Sequence, residues 1–314
     1  MRWFATPGEL RQLGVLGMNQ RNADFIMRYN KRQLYPLVDD KLYTKQLALE
    51  KGIAVPKLYG VIDIQHQISR LESDLQGHED FVMKPVHGSG GNGILVISGK
   101  LGSYYRRANG DLVGFDVVAH HASNILSGMY SLGGMPDKVL IEYRVKFDPF
   151  FSAISYQGVP DIRIIIFRGI PIAAMVRLPT KDSDGKANLH QGAVGIGIEL
   201  ATGVSKVGVY HDQLVDQHPD THHNLKGIKI PNWQAIMELA VRCADIVGLG
   251  YLGVDIVMDH DLGPLMLELN ARPGLNVQIA NQMGLLHQLK RVEQIKTVPT
   301  NIEERVALAT PVIG

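Results

Sequence analysis

The segment "YLGVDIVMDHDLGPLMLELNARPG", residues 251–274, has apolar runs on both sides of the polar stretch "HDLG" and predicts two strands joined by a turn. In the second run, leucines alternate with Met266, Glu268 and Asn270. Because successive strand side chains point to opposite faces, we expect Glu268 and Asn270 on one face, away from the leucines. The run ends at "ARPG", which places a fixed cation at Arg272.

A count outward from the turn, with Met258 opposite Leu265, places Asp255 opposite Glu268. Directly opposed side chains lie on the same face, with Cβ atoms about 4.5–5.5 Å apart. Two carboxylates this close repel each other unless a cation lies between them. Together with Asn270 they are hard oxygen donors, which suit Mg²⁺ with phosphate oxygens completing its shell. The alternative is an exposed strand face that carries ordinary polar residues.

The stretch "HGSGGNG", residues 87–93, matches the pattern G-x-G-x-x-G. A dinucleotide-binding fingerprint opens a helix, but here the flanking stretches "DFVMKPV" and "ILVIS" both predict strands. No Lys-Ser or Lys-Thr pair follows as in a Walker A loop. A glycine-rich turn between strands still exposes backbone N–H groups to a phosphate, so we predict a phosphate lid. A flexible hairpin loop without a ligand is the alternative.

Length and composition limit the class of protein. The 314 residues suggest two or three lobes, and 32 basic against 31 acidic residues favour neither nucleic acid nor an anionic membrane as partner. The one cysteine, Cys243, excludes a disulfide framework and fits a reducing compartment. No apolar run is long enough for a membrane span, and no signal peptide is evident. We therefore expect a cytoplasmic protein.

The order of predicted elements indicates an α+β fold. "DIRIIIF" (161–167) and "IPIAAMVRLP" (170–179) predict strands joined by a hairpin turn at Arg168 and Gly169, and residues 232–249 predict a long amphipathic helix. Antiparallel hairpins mixed with helices differ from an alternating βαβ sheet.

These segments, in this order, resemble the ATP-grasp ligases: "DDKLYTKQLALEKGIAVP" (39–56), "FVMKP" (81–85), the glycine lid, "VLIEYRV" (139–145) and the strand pair at 251–274. Within that superfamily, "PDIRIIIFRGIPIAAMVRLP" (160–179) and "ANLHQGA" (187–193) are similar to the α-L-glutamate ligases that extend the C-terminus of a ribosomal protein. D-alanine–D-alanine ligase and glutathione synthetase resemble the chain more distantly. The resemblance covers about residues 35–285.

The resemblance implies an ATP-grasp fold, with two α+β lobes and ATP between them. Residues 1–38 would be a short N-terminal segment in place of a full preATP-grasp domain. Residues 39–145 would form the smaller lobe with the lid, residues 146–286 the larger lobe with the metal site, and residues 287–314 a C-terminal helix and tail. Two residues depart from the glutamate ligases: Gln191 replaces a basic residue, and Arg272 replaces a small one.

The resemblance also implies a nucleotide site. Lys41 and Lys84 would contact the phosphates or the base, and Asp148 the ribose. The lid residues would close over the triphosphate: Gly88, Ser89, Gly90, Gly91 and Gly93. The adenine hinge would be lined by Glu142, Tyr143 and Val145.

The resemblance implies a reacting centre as well. Arg163 and Arg177 would serve the phosphates and the group in transfer, and Asn188 and His190 would lie near the reacting atoms. Arg272 is not implied by the resemblance, but it lies just past the metal strand, where a two-point contact would suit a developing oxyanion or the substrate carboxylate. Two Mg²⁺ ions, or Mn²⁺, would be held by the oxygen donors of the strand pair: Asp255, Glu268 and Asn270.

The implied reaction is ATP-dependent ligation of a carboxylate, glutamate among the candidates, to an amine or peptide acceptor through an acyl phosphate. An ATP-grasp phosphotransferase and a non-catalytic ATP-binding regulator stay open as alternatives. A homo-oligomer also stays open, because nothing in the residues decides it.

Several polar residues have ordinary structural interpretations. Lys45 is expected on the surface, and His121 as an ordinary helix residue. Glu142 could equally be a salt-bridged residue of an edge strand, and Arg163 could pair with Asp161 or another surface acid. The histidines between residues 211 and 223 match no zinc-site spacing, so we expect a solvated loop there.

Overall fold

The computed structural model describes residues 5–88 and 90–309, which form two compact units. The first unit contains residues 5–39, Leu47–Ala54 and 147–309, and the second contains Asp40–Gln46 and Val55–Lys146. Among the described residues, no helix is both long enough and apolar enough to cross a membrane.

The N-terminal residues of the first unit are helical, although no period in their sequence predicts this. The elements are α1 (Pro7–Gln12), α2 (Met18–Gln20), a π-helical turn (Arg21–Ile26), α3 (Met27–Tyr29), a 3₁₀ turn (Arg32–Leu34) and α4 (Pro36–Asp39). Thr6 caps α1, because its hydroxyl accepts from the Glu9 backbone N–H while the Glu9 carboxylate accepts from the Thr6 N–H. Leu16, Phe25 and Ile26 are buried in the core of the unit.

The second unit is built on an antiparallel six-stranded sheet with the strand order β1-β6-β2-β3-β4-β5. Its strands are β1 (Leu58–Ile62), β2 (Phe81–Pro85), β3 (Leu95–Leu101), β4 (Tyr104–Arg107), β5 (Leu112–Val113) and β6 (Val139–Glu142). Its helical elements are part of α5 (Lys41–Glu50), a 3₁₀ turn (Gln65–Arg70), α6 (Leu71–Asp74) and α7 (Phe115–Leu126). The core packs Phe81 and Met83 of the sheet with Val118 and Ile125 of α7.

The glycine stretch lies in the connection between β2 and β3, which pair antiparallel with Met83 opposite Leu95. A strand therefore follows the glycines, as the sequence predicts.

The first unit contains an antiparallel seven-stranded sheet with the order β11-β10-β9-β8-β7-β12-β13. The strands are β7 (Asp161–Phe167), β8 (Ile170–Leu178), β9 (Val194–Ile198), β10 (Ser205–Tyr210), β11 (Gln213–Val215), β12 (Tyr251–Asp259) and β13 (Gly263–Asn270). The later helices are α8 (Pro149–Ser152), α9 (Trp233–Val247), α10 (Asn276–Asn281), α11 (Leu286–Glu293) and α12 (Ile302–Ala307). Arg168 and Gly169 both have positive φ, of 49° and 75°, and form the predicted turn between β7 and β8.

The strands β12 and β13 pair with Asp255 opposite Glu268, which confirms the predicted pair. The count from the turn was nevertheless wrong by one residue, since Val257 rather than Met258 lies opposite Leu265. The register shifts between Asp255 and Ile256, and this bulge on the β13 side restores the expected pair.

Candidate active site

One face of the large sheet carries an acid–arginine cluster, defined as Asp161, Arg163, Arg177, Asp255 and Glu268. Across the central strands, Arg163 of β7 lies opposite Asp255 of β12, which in turn lies opposite Glu268 of β13. Arg163 Nε donates to Asp255 Oδ1 at 2.7 Å, and its Nη2 donates to Oδ2 at 2.6 Å. This two-point contact fixes the planes of both side chains.

Arg177 of β8 joins Asp161 to the same cluster. Its Nε donates to Asp161 Oδ1 at 2.5 Å, its Nη2 also contacts Asp161 Oδ2, and that Nη2 donates to Asp255 Oδ2 at 3.0 Å. Arg163 therefore pairs with an acid, as its ordinary interpretation expects, but the acid is the buried Asp255 rather than Asp161 or a surface residue. Asp161 was not among the predicted site residues, although its position two residues before Arg163 puts both side chains on one strand face.

The two aspartates of the cluster differ in their electrostatics. Burial raises the pKa of Asp161 to about 6, and the negative charge of Asp255 adds to this effect while Arg177 opposes it. Burial also disfavours ionised Asp255, but Arg163 and Arg177 outweigh it and hold the pKa of Asp255 below its ordinary value. Asp255 has two guanidinium partners and Asp161 has one, so acidification protonates Asp161 first.

The oxygen donors predicted to bind metal lie together on this face. Asn270 Nδ2 donates to Asp255 Oδ2 at 3.2 Å, and Glu268 lies opposite Asp255. Among the described residues, no group of three His, Cys, Asp or Glu side chains could hold a metal by itself. Two carboxylates and one amide nevertheless fit Mg²⁺, which is typically bound by one or two protein carboxylates together with substrate phosphates.

The charge of the cluster agrees with that fit. Its three carboxylates and two guanidiniums leave one net negative charge. A negative site of this kind suits Mg²⁺ that is bound to the phosphates of a nucleotide.

In the second unit, the carboxylate of Glu142 is buried between two lysines. Lys84 forms an ion pair with its Oε1, and Lys45 Nζ lies 2.7 Å from its Oε2. Although burial opposes ionisation, Lys84 and Lys45 hold the pKa of Glu142 below its ordinary value. The expectation that Lys45 lies on the surface was wrong, because this side chain is buried and its Nζ also donates to the Pro56 carbonyl.

Glu142 does not belong to an edge strand either. It ends β6, which lies between β1 and β2 in the sheet. A buried carboxylate at this position orients Lys84, which lies on β2 four residues before Gly88, the first glycine of the lid.

The lid has defined contacts at both ends. At its start, Lys41 Nζ donates to the Gly88 carbonyl at 2.6 Å. At its end, the His121 imidazole hydrogen-bonds to the Gly93 carbonyl at 2.9 Å, so His121 is more than an ordinary helix residue. Gly93 has φ of 77°, and a Cβ there would lie 2.5 Å from the Tyr130 ring, so this position requires glycine.

The residue before the lid is also held in place. Asp137, a buried carboxylate, accepts hydrogen bonds from the His87 N–H at 3.0 Å and from the Ser131 hydroxyl at 2.6 Å. Gly90 and Gly91 have positive φ, of 65° and 79°. Ser89, which the sequence analysis included in the lid, lies outside the described residues.

Of the three proposed hinge residues, Glu142 ends β6, and Tyr143 and Val145 come just after it. The Tyr143 N–H donates to the Lys57 carbonyl, and Val145 is buried. Asp148, predicted to contact a ribose, caps α8 through a hydrogen bond from the Phe150 N–H at 2.8 Å. In the first unit, Asp148 therefore has a structural role as the N-terminal cap of α8.

The remaining predicted residues lie on other segments of the first unit. Asn188 caps the 3₁₀ turn Leu189–Gln191 by accepting from the His190 N–H at 3.1 Å. His190 is exposed, and its Nε2 lies 3.5 Å from Asn276 Nδ2. Arg272 is exposed with its guanidinium carbon 4.6 Å from the centre of the Tyr35 ring, a cation–π distance.

The N-terminal helices support the loop that carries Arg272. Arg21 Nη1 donates to the Pro273 carbonyl at 2.7 Å, and Asn30 Nδ2 donates to the carbonyls of Tyr251 and Ala271 at 2.8 and 3.3 Å. Both Arg21 and Asn30 are buried. No sequence pattern predicts these positioning residues, since they act across more than 200 positions.

The histidine-containing segment is not wholly solvated. His218 is buried, and its Nε2 hydrogen-bonds to the Pro179 carbonyl at 3.0 Å. His211 and His222 are exposed, as expected.

Comparisons with known proteins agree with the resemblance seen in the sequence. The model of a family described as "Sugar-transfer associated ATP-grasp" matches residues 20–294. A "Probable alpha-L-glutamate ligase" of Maridesulfovibrio salexigens is 25% identical over 238 residues, which cover 75% of this chain and 56% of that protein. A second protein of that name, from Hydrogenovibrio crunogenus, is 22% identical over 96% of this chain and 76% of its own length.

Among solved structures, D-alanine–D-alanine ligase from Bacillus anthracis in complex with ATP matches with a TM-score of 0.46 and 15% identity. The match covers 86% of this chain and 70% of the other. Of the two relatives named as glutamate ligases, the chain spans little more than half the length of the first and about three quarters of the second.

Proposed function

The chain belongs to the sugar-transfer associated ATP-grasp family, so its two α+β units have the ATP-grasp fold, and we propose that it is an ATP-dependent carboxylate–amine ligase. The observation that carries the proposal is the acid–arginine cluster. It combines two opposed strand carboxylates with two oriented arginines on one sheet face. Relatives named as glutamate ligases support the same reaction class.

The proposed reaction has two steps. An oxygen of the substrate carboxylate attacks the γ-phosphorus of ATP, the bond to the β–γ bridging oxygen breaks, and ADP leaves. The nitrogen of an amine then attacks the carbonyl carbon of the acyl phosphate. The carbon–oxygen bond breaks, phosphate leaves with the electron pair, and the nitrogen loses a proton to solvent. No covalent enzyme intermediate is needed.

In this scheme the residues of the chain bind and orient charged groups. Arg163 and Arg177 would stabilise the phosphoryl group in transfer, because their guanidiniums are already fixed by carboxylates and need little reorganisation. Asp255, Glu268 and Asn270 would hold Mg²⁺, which when bound neutralises phosphate charge. Arg272 would hold the substrate carboxylate or the developing oxyanion.

The second unit would bind the nucleotide. Two lysines would contact the phosphates. Lys84 is paired with Glu142, and Lys41 of α5 donates to the Gly88 carbonyl at the start of the lid. The backbone N–H groups of Gly90 and Gly91 would cover them, since positive φ at consecutive residues can expose N–H groups to an anion. The buried thiol of Cys243 agrees with the reducing cytoplasm as the proposed location.

Trapping of the intermediate tests the proposal. The protein is incubated with Mg-ATP, hydroxylamine and a panel of carboxylates that includes glutamate, and the products are identified by mass spectrometry. We expect a hydroxamate and an equal amount of ADP from at least one carboxylate. AMP and pyrophosphate would indicate adenylation, and ADP with a stable phosphorylated alcohol or amine would indicate a phosphotransferase. Either result would overturn the proposal, as would ATP binding without any turnover.

A further inference from the structure

One buried cation of the first unit has no carboxylate partner among the described residues. The other buried lysines and arginines each pair with a carboxylate: Lys45 and Lys84 with Glu142, and Arg305 with Asp245. Arg21 instead donates to neutral oxygens, those of the Pro273 carbonyl at 2.7 Å and of the Asn22 side chain at 2.8 and 3.1 Å. Because an isolated charge is costly to bury, Arg21 is the exception that requires an explanation.

A second arginine without an acid lies close to Arg21. Burial lowers the pKa of Arg21, Tyr251 opposes this effect, and the positive charge of Arg272 lowers the pKa further. Within residues 5–88 and 90–309, the Arg272 guanidinium forms neither an ion pair nor a hydrogen bond, and it lies over the Tyr35 ring. A guanidinium stacked on a ring keeps its N–H edge available for a two-point contact with an oxyanion.

A buried hydroxyl that interacts with Arg21 also lacks a partner. Tyr251 is fully buried, and its hydroxyl forms no hydrogen bond with any described residue. Burial raises the pKa of Tyr251 to about 12, so this hydroxyl is a neutral donor near neutral pH. A cation and a donor that both lack an acceptor in one place indicate that an anion completes the arrangement. We refer to Arg21, Tyr251 and Arg272 as the Arg21–Arg272 site.

The site lies on the same sheet face as the acid–arginine cluster. Tyr251, Gly253 and Asp255 are alternate residues of β12, so their side-chain directions agree. Four residues at about 3.3 Å each place Tyr251 about 13 Å from Asp255. The loop after β13 covers this face between them, because a Cβ on Gly253 would lie 2.6 Å from Pro273 Cβ. A substrate of that length that reacts at the cluster would place its other end at the Arg21–Arg272 site.

The loop that carries Arg272 is held on both sides of this residue. The carbonyl before it, of Ala271, accepts from Asn30 Nδ2 at 3.3 Å, and the carbonyl after it, of Pro273, accepts from Arg21. A backbone fixed in this way lowers the cost of ordering Arg272 when an anion binds.

The charge of the site selects the kind of anion. Its two guanidiniums carry two positive charges, of which a carboxylate would neutralise one. A phosphate monoester carries close to two negative charges above its second pKa of about 6. Arg272 offers a contact from the exposed side, and Arg21 adds charge from the buried side, where water screens it less. The occupant with the matching charge is therefore a phosphate monoester.

We propose that the Arg21–Arg272 site binds a phosphate monoester group of the carboxylate substrate, at the end remote from the carboxylate that reacts. The substrate is then a phosphorylated carboxylic acid, and Arg272 binds it by its phosphate in place of the reacting carboxylate or the oxyanion. The identity of the substrate rests on the proposed ligase function, whereas the anion site can be tested without turnover.

Ligand-observed NMR with the full chain tests the anion site. The probes are methyl phosphate, methyl sulfate and acetate at about pH 8, where only methyl phosphate is a dianion. A saturating non-hydrolysable ATP analogue with Mg²⁺ keeps the probes out of the nucleotide phosphate positions. We expect methyl phosphate to bind at least about fivefold more tightly than either monoanion.

Two variants and a control assign the binding to the arginines. Arg272→Gln, at an exposed position that should not disturb folding, should lower methyl phosphate affinity to that of methyl sulfate. Arg21→Gln should weaken methyl phosphate at least about threefold, because it removes the buried charge. Arg11→Gln, the same charge change at an exposed position of α1, should bind as wild type does.

The anion site is overturned if wild type binds methyl phosphate no more tightly than methyl sulfate or acetate. It is also overturned if either folded variant of the site keeps wild-type affinity, or if Arg11→Gln loses as much affinity as they do. If circular dichroism shows that Arg21→Gln is unfolded, Arg272→Gln alone decides.

Matched substrates test whether the phosphate belongs to the carboxylate that reacts. The hydroxamate reaction is run with pairs that differ by one phosphate monoester: O-phosphoserine and serine, 6-phosphogluconate and gluconate, O-phosphotyrosine and tyrosine. We expect kcat/KM to be at least about fivefold higher for the phosphorylated member of one pair or more, and Arg272→Gln to remove this preference through a higher KM. Equal kcat/KM within every pair, with methyl phosphate still bound, would show a site for free phosphate and would overturn the substrate assignment.

The two proposals can fail separately. If wild type forms no hydroxamate with any carboxylate, phosphorylated or not, the ligase function is wrong, whatever the methyl phosphate series shows. If hydroxamate forms but the methyl phosphate series fails, the ligase function stands and the phosphate site is wrong.

Discussion

Replacement of Asp255 by asparagine should destabilise the first unit by about 2–4 kcal/mol in the free energy of unfolding. Asp255 accepts both observed hydrogen bonds of Arg163 and one of Arg177, and it is buried. Removal of one partner from a buried ion pair typically costs about 3–5 kcal/mol, because the other charge stays buried without compensation. The cost should fall below the top of that range for two reasons. Arg177 still has Asp161 as an ion-pair partner, and Asp161 is no longer repelled by the negative charge of Asp255.

Urea unfolding followed by far-UV circular dichroism measures this loss. The matched control is Asp216→Asn, an exposed residue for which we expect a change within about 0.5 kcal/mol. A non-hydrolysable ATP analogue with Mg²⁺ should stabilise wild type and have a much smaller effect on Asp255→Asn. If Asp255→Asn unfolds within about 0.5 kcal/mol of wild type, Asp255 does not hold the two buried arginines in the way proposed.

Three further changes test other parts of the account. Glu268→Gln should keep the melting temperature of the empty protein but lose turnover, and normal turnover would show that Glu268 binds no metal. Burial raises the pKa of Asp161 to about 6 in the folded state, whereas the pKa of an aspartate in the unfolded chain is about 3.9. Between these two pH values the folded protein keeps the proton of Asp161 and the unfolded chain has released it. Wild type should therefore lose stability relative to Asp161→Asn as the pH rises from about 4 to about 6, and a constant difference in urea unfolding would contradict this. Lys45→Met should cost about 1–3 kcal/mol, since Glu142 keeps its other lysine. Lys51→Met, at an exposed position directly after the end of the same helix, should change urea unfolding little.

The sequence predicts the local elements around the site well, but not their full register. The pair Asp255–Glu268 is predictable because both lie in strongly alternating strands on either side of a short turn. The simple count succeeded only because a bulge beside Ile256 compensated for a one-residue error near Leu265. Bulges depend on packing and twist across the sheet, which a single strand sequence does not show.

Burial of charged residues is the second feature that the sequence does not predict. Lys45 follows Lys41 by one helical turn, and nothing local indicates that it is buried beside Glu142, almost 100 residues away. Asp161 could have been added to the site, because it shares a strand face with Arg163. The support of the Arg272 loop by Asn30 depends on tertiary contacts alone.

The proposed acyl phosphate intermediate is tested most directly by measuring whether a carboxylate oxygen is transferred to phosphate. The protein is incubated with Mg-ATP, hydroxylamine and a mixture of amino acids labelled with ¹⁸O in their carboxyl groups, glutamate included, and the released phosphate is analysed by mass spectrometry. We expect one ¹⁸O atom in each phosphate released with ADP, because the carboxylate oxygen that attacks the γ-phosphorus leaves with the phosphate. Unlabelled phosphate together with ADP, or ¹⁸O in AMP, would contradict an acyl phosphate intermediate.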